Sequence, residues 1–149
     1  MTLSPAGLAR LKSYEACSLV VYSDQAGLPT IGWGHLIRPG EDFSRGLTIS
    51  QAEALLHRDL VPRLAALDSM LEVEVMQEAY DSCASLLYNI GETEFRKSSF
   101  LRAVNSKATH DIIRSSLKRW CKVTDKKTGQ KVNSAGLMNR RAEEAKAWP

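Results

Sequence analysis

The stretch EACSLVVYSDQAGLPTIGWGHL, residues 15–36 of a 149-residue chain, decides the fold. Its character changes at Leu19, where β-branched and aromatic residues begin and lead into the turn-forming run Ser23–Gly27. The run Pro29–His35 follows, and its glycines allow close approach of another backbone segment. This order predicts two antiparallel strands joined by a tight turn, with a third short strand before Thr48.

Helical patterns lie on both sides of this hairpin. Ser4 and Pro5 are typical of an N-cap followed by a first helical position, and they predict a helix from Pro5 to about Ala16. From about residue 50 onward the pattern is helical, beginning with a capping box over Ser50–Glu53 and with a kink or a break at Pro62. The remaining predicted helices cover about Glu74–Asn89, Ser99–Val104, Thr109–Lys118 and Gly136–Trp148.

The sequence predicts a single α+β domain over residues 1–149. A small antiparallel β region, about residues 17–48, lies beside a larger helical body of about residues 50–149 and the N-terminal helix, with a cleft between them. The hydrophobic fraction of 44% and the charged fraction of 25% are ordinary for a globular chain. The sequence shows no signal-peptide pattern and no stretch near the ~18 apolar residues of a membrane span, so we expect synthesis in a cytoplasm.

Three widely spaced cysteines, Cys17, Cys83 and Cys121, form no Cys-x-x-Cys motif. We expect three reduced thiols, with one disulfide plus one free thiol as the alternative. The sequence predicts no metal site and no cofactor.

Two carboxyl groups and one hydroxyl group are the candidate catalytic residues. Glu15 lies about two helical turns after Leu8 on the inward stripe, where partial burial favours the neutral, proton-donating form. A structural ion pair at the helix end is the alternative. Taken alone, Asp24 in the turn indicates only local hydrogen bonds. Taken alone, Thr30 is an ordinary residue of the next strand. If they face one cleft, the two carboxyls are the groups that glycoside hydrolysis uses, and the nearby hydroxyl can hold the attacking water.

The quoted segment resembles the catalytic segment of the phage-type lysozymes, glycoside hydrolase family 24. The spacing Glu, eight residues, Asp, five residues, Thr matches the family signature, and so does the run Thr-Ile-Gly-Trp-Gly-His. Leu87–Thr93 resembles the end of the family's central helix, and Gly136–Glu143 resembles its closing Gly-Leu-x-x-Arg-Arg motif. The resemblance extends from about Leu8 to the C-terminus, with one departure at Ala16, where many members have Gly.

The resemblance implies a lysozyme-like fold and hydrolysis of the β-1,4 bond between N-acetylmuramic acid and N-acetylglucosamine in peptidoglycan. Glu15 would be the general acid, Asp24 the base or charge stabiliser, and Thr30 the residue that positions water. Members similar to the T-even phage enzyme invert the anomeric centre, which predicts carboxyl groups roughly 6.5–9.5 Å apart. Arg140 would pair with Glu15, and for His35 we expect a structural role such as an ion pair with an Asp. Four further positions align with cleft-lining residues of the family: Leu36, Tyr88, Ser98 and Ser99.

The resemblance also implies a monomeric endolysin of a phage or prophage, made in the host cytoplasm and acting on the wall from the periplasm. No membrane-anchoring segment is recognised, which favours release by a partner holin over self-export. Two alternatives are a non-catalytic peptidoglycan-binding module and the same enzyme used as an antibacterial effector or tail-associated lysin. The basic run 118–131 indicates either a solvated face or attraction to anionic wall polymers or a membrane. Nucleic-acid binding is less favoured, because the chain has no recognisable motif for it.

Overall fold

The polypeptide forms seven helices and two antiparallel sheets in a computed structural model that describes the whole chain, Met1–Pro149. The helices are α1 (Pro5–Tyr14), α2 (Ile49–Met70), α3 (Gln77–Ile90), α4 (Glu92–Lys97), α5 (Ser99–Asn105), α6 (His110–Lys118) and α7 (Ala135–Ala145). The strands are β1 (Ser18–Ser23), β2 (Pro29–Gly32), β3 (His35–Leu36), β4 (Lys122–Thr124) and β5 (Lys131–Asn133). The first sheet has the order β1-β2-β3, and β4 pairs with β5. The predicted α+β class, with a small β region and a larger helical body, is confirmed.

Strands β1 and β2 form the predicted hairpin. The chain does not continue as one strand over Pro29–His35, because Gly32 and Gly34 adopt positive φ angles of 64° and 80° and turn the chain around Trp33. The two-residue strand β3 follows this turn and pairs antiparallel with β2. The single strand predicted for this run is therefore wrong, because β3 begins within the run at His35. Residues 37–47, directly before Thr48, contain no strand, so the third short strand expected there is not formed.

Helix α2 differs from the prediction at two points. Its N-cap is Thr48, whose hydroxyl accepts the Gln51 N–H while the Gln51 side chain accepts the Thr48 N–H. The capping box predicted over Ser50–Glu53 is therefore wrong by two residues. The helix also continues without a break for 22 residues through Pro62. Pro62 and Arg58 lie on the exposed side of the helix, where water can hydrate the Arg58 carbonyl that the proline leaves without a donor.

The hydrophobic core has two parts, and helix α2 contributes to both. The larger cluster packs α2 to α7 together and includes Leu67, Tyr80, Leu86, Phe95, Phe100 and Leu117. The smaller cluster joins α1 and the turn after β2 to α2 through Leu11, Trp33, Ala52, Leu56 and Leu60. Because Leu11 of α1 packs with Trp33 in this smaller cluster, the C-terminal end of α1 lies beside the first sheet.

The β4–β5 hairpin and helix α4 are elements that the sequence pattern does not indicate. Val123 pairs with Val132 across the hairpin, and the turn over Asp125–Gln130 joins the two strands. Each strand has three residues and a single apolar side chain, which is too short a run for an alternating pattern.

No helix in the structure combines the length and the hydrophobicity that a membrane span requires. All three cysteines are free thiols, with Cys83 buried and Cys17 exposed. The alternative of one disulfide is therefore not realised.

Candidate active site

One tight turn of the first hairpin positions both Asp24 and Thr30. Oδ1 of Asp24 accepts hydrogen bonds from the backbone N–H groups of Ala26 and Leu28, at 2.8 and 2.9 Å. The Leu28 carbonyl in turn accepts from the Asp24 N–H and from the Thr30 hydroxyl, both at 2.9 Å. The turn thus fixes both side chains. It leaves Oδ2 of Asp24 and the lone pairs of the Thr30 hydroxyl without a protein partner.

Glu15 is the residue at which helix α1 ends. Its N–H still donates to the Leu11 carbonyl, but its own φ and ψ of −100° and 113° are extended, so the chain leaves the helix there. The Arg140 guanidinium donates through Nη1 to Oε1 of Glu15 at 2.7 Å, and the Glu15 side chain is 24% exposed. Oε2 makes no hydrogen bond within the protein. The structure therefore holds one carboxyl oxygen and leaves the other available to the cleft.

Arg140, only 4% exposed, is held by contacts on all sides. Its Nη2 donates to the carbonyl and the hydroxyl of Ser85, and its Nε donates to Glu144. The Tyr14 ring lies against its guanidinium, 4.7 Å from ring centroid to carbon. Burial raises the pKa of the Tyr14 hydroxyl, and the nearby Glu144 carboxylate raises it further. A cation fixed in this way keeps the orientation of the Glu15 carboxyl constant.

The candidate catalytic residues line one open cleft of about 690 Å³. Its walls come from the end of α1, the first hairpin, the end of α3, the β4–β5 hairpin and the start of α7. The lining residues are Ser13, Tyr14, Glu15, Tyr22, Asp24, Gln25, Thr30, Gly34, Asn89, Val123, Ser134, Gly136, Leu137 and Arg140. Burial raises the pKa of the Tyr22 hydroxyl, and the negative charges of Glu15 and Asp24 raise it further. The Tyr22 phenol therefore lies within electrostatic range of both carboxyls.

The four positions aligned with substrate-binding residues lie outside this lining. Leu36 on β3 is 47% exposed. The Tyr88 hydroxyl donates to the Trp33 carbonyl at 2.5 Å. Ser98 is buried and accepts the N–H of Leu101 as the cap of α5, and Ser99 follows it beside α6. These four residues therefore do not line the cleft that holds Glu15 and Asp24, and their role in binding substrate stays a prediction.

His35 belongs to a charged cluster beneath the first sheet. Its Nδ1 contacts the Asp59 carboxylate and its Nε2 contacts the Glu41 carboxylate, both at 2.8 Å. Glu41 also accepts from the Arg38 N–H and from the Arg58 guanidinium. The cluster connects β3 to helix α2 and to the loop between them.

We expect Glu41→Gln to lower the melting temperature at pH 7 by about 2–4 °C. The Arg38 backbone hydrogen bond, then the His35 and Arg58 contacts, lower the pKa of Glu41 from 4.5 to about 2. A lowered folded-state pKa stabilises the protein above the unfolded value, and that stabilisation is lost as the pH falls from 4.5 to about 2. Melting curves of both proteins between these limits test this, and a difference that stays constant down to pH 2 contradicts it.

Several residues that line the cleft were not predicted from the sequence as site residues. They are Tyr14, Gln25, Asn89, Val123 and Ser134. One signal was available for the supporting network, since Glu144 follows Arg140 by four positions, the spacing of a helical ion pair. No group of three or more His, Cys, Asp or Glu side chains in the structure can hold a metal ion.

Comparison with known sequences identifies the family of the chain. A family model described as "Phage lysozyme" matches residues 12–144. The endolysin of Acyrthosiphon pisum secondary endosymbiont phage 1 is 33% identical over 144 residues, which cover 97% of this chain and 95% of that protein. The endolysin of Salmonella phage P22 is 39% identical over 110 residues, which cover 72% of this chain and 75% of that protein.

Solved structures give the same result. The endolysin from Escherichia coli O157:H7 phage FAHEc1 superimposes with a TM-score of 0.87 at 36% identity, covering 99% of this chain and 93% of that one. The muramidase domain of SpmX from Asticaccaulis excentricus also gives 0.87, at 28% identity, covering 99% and 97% of the two chains. With its matched fold, family model and relatives, the chain belongs to the phage lysozyme family and is a lysozyme-type glycoside hydrolase.

Proposed function

We propose that this enzyme is a muramidase that hydrolyses the β-1,4 bond between N-acetylmuramic acid and N-acetylglucosamine in peptidoglycan. The observation that carries the proposal is the shared cleft, in which Glu15, Asp24 and Thr30 face the same space. A glycan strand fits an open groove of this kind better than a closed pocket, because its two ends must pass out of the site.

The free atoms of the site define a role for each residue. Oε2 of Glu15 carries the proton that passes to the glycosidic oxygen as the bond to the anomeric carbon breaks. Oδ2 of Asp24 takes a proton from water as the water oxygen attacks that carbon from the opposite face. The Thr30 hydroxyl already donates to Leu28, so it accepts a hydrogen from the same water and orients it. Attack from the opposite face inverts the anomeric centre.

The names of the relatives support an endolysin role for the chain. We infer that it acts as one monomeric domain, is made in the host cytoplasm and reaches the wall from the periplasmic side after a holin permeabilises the membrane. Both sequence relatives described above are endolysins.

Product analysis tests the proposed reaction. We expect mass spectrometry of fragments released from purified peptidoglycan to show reducing-end N-acetylmuramic acid, because water is the nucleophile. Anhydro-muramic ends would instead identify a lytic transglycosylase. The absence of any release would favour a non-catalytic wall-binding module on the same fold.

A further inference from the structure

The positive charge of this protein is concentrated in one short segment, residues 118–131. Six of its side chains are cationic and one, Asp125, is a carboxylate, although the whole chain has a net charge of only +3. The rest of the molecule is therefore net negative. The six cations are Lys118, Arg119, Lys122, Lys126, Lys127 and Lys131. All six are exposed.

None of these six cations has a partner within the protein. Eleven ion pairs are present in the structure, and none of them involves a side chain of this segment. Asp125 accepts the backbone N–H groups of Lys127 and Thr128 instead, and these bonds lower its pKa. The segment is therefore a set of free cations that an anionic ligand can neutralise.

Four of these cations lie on the β4–β5 hairpin, which contributes one wall of the cleft. Val123 lines the cleft, and it pairs with Val132 on one face of the hairpin. Because side chains alternate along a strand, Lys122 and Lys131 lie on the opposite, outer face. Lys126 and Lys127 lie in the turn between the strands. The four lysines thus lie on the outer side and at the tip of a cleft wall, and none of them lines the cleft itself.

We propose that the outer face and turn of this hairpin bind the carboxylates of the stem peptides on a peptidoglycan strand held in the cleft. The inference rests on the proposed function, since it takes the glycan to be the ligand of the cleft. The stem peptides branch from the lactyl groups of the muramic acid residues and carry free carboxylates, so they extend out of a cleft that holds the glycan. Unpaired lysines on the hairpin beside the cleft are complementary in charge to such peptides. An anionic membrane surface is the other ligand that these charges could attract, but it needs no cleft beside it.

Two variants of equal net charge separate this contact from general electrostatic attraction. The first is Lys122→Gln/Lys126→Gln/Lys131→Gln on the hairpin. The second is Arg45→Gln/Lys97→Gln/Lys107→Gln, at exposed cations that have no ion-pair partner and do not line the cleft. Each removes three charges and brings the net charge from +3 to zero.

The substrates are native sacculi and sacculi whose peptide carboxyls have been amidated with carbodiimide and ammonium chloride. On native sacculi at low salt we expect the hairpin variant to lose roughly tenfold in kcat/KM, through KM, because three weak surface pairs are removed. On amidated sacculi we expect the kcat/KM of the hairpin variant to equal that of the wild type. We expect the kcat/KM of the control variant to stay within about twofold of the wild-type value on both native and amidated sacculi.

Cosedimentation with the same sacculi measures binding without turnover when all variants carry Glu15→Gln. The proposal is overturned by equal losses on native and amidated sacculi, or by no loss on either. It is also overturned if the hairpin variant loses only its binding to phosphatidylglycerol vesicles. If the wild type hydrolyses neither kind of sacculus, the proposed function fails, while cosedimentation still decides on the peptide contact.

Discussion

Replacing Glu15 with Gln is expected to lower the rate of peptidoglycan hydrolysis by ~10²–10⁴-fold, the contribution of a positioned general acid. The amide oxygen of Gln can still accept the Arg140 hydrogen bond that holds Oε1 at 2.7 Å. The substitution therefore removes the transferable proton and keeps the geometry. Clearing of permeabilised Gram-negative cells and release of dye from labelled sacculi measure the rate.

Glu53→Gln is the matched control for this variant. Glu53 pairs with Lys12 at 2.7 Å, so its replacement also removes one ion pair, but it lies outside the cleft lining. We expect the control to retain nearly full activity, and both variants to melt within about 4 °C of the wild type. Equal clearing by Glu15→Gln and the wild type would remove Glu15 from the mechanism.

For Asp24→Asn we expect a loss of ~10²-fold or more in kcat, with the fold preserved. The Oδ1 atom of Asn can accept the same N–H groups of Ala26 and Leu28, so the turn that also holds Thr30 stays intact. What disappears is the charge and the free Oδ2, which we propose as the base. Steady-state kinetics on labelled sacculi separate this loss in kcat from a change in KM.

Asp42→Asn is the control for the second variant, because Asp42 also accepts a backbone N–H, that of Ser44, in a loop away from the cleft. We expect it to behave like the wild type. If Asp24→Asn retains its rate as well, the role of Asp24 is confined to the hydrogen bonds of the turn.

The fold was predictable where local chemistry and tertiary packing agree. The first hairpin and most helices follow from residue types alone, and Gly91 ends α3 as a helix-stopping glycine should. The start of α2 was misplaced because Thr48 and Ser50 are both good caps, and only the reciprocal bonds to Gln51 distinguish them. The break considered at Pro62 does not occur, because the proline lies on the side of the helix that faces water.

The candidate site was predictable only in part, because its walls come from distant segments. Glu15, Asp24 and Thr30 lie within one short stretch whose spacing is recognisable. Val123 reaches the same cleft from β4, and no local pattern marks it; Asn89 reaches it from α3, within a stretch that resembles the family but that gave this residue no role. Their placement depends on how the helices pack, and local residue patterns do not reveal that packing.

The bond between Glu15 and Arg140 joins positions 125 residues apart. A ribosome builds the chain from its N-terminus, so the carboxyl emerges early and its guanidinium partner emerges only with α7, 125 residues later. The start of α7 also supplies Gly136 and Leu137 to the cleft wall. A nascent chain that stops before this helix lacks both, so we expect it to have no hydrolytic activity.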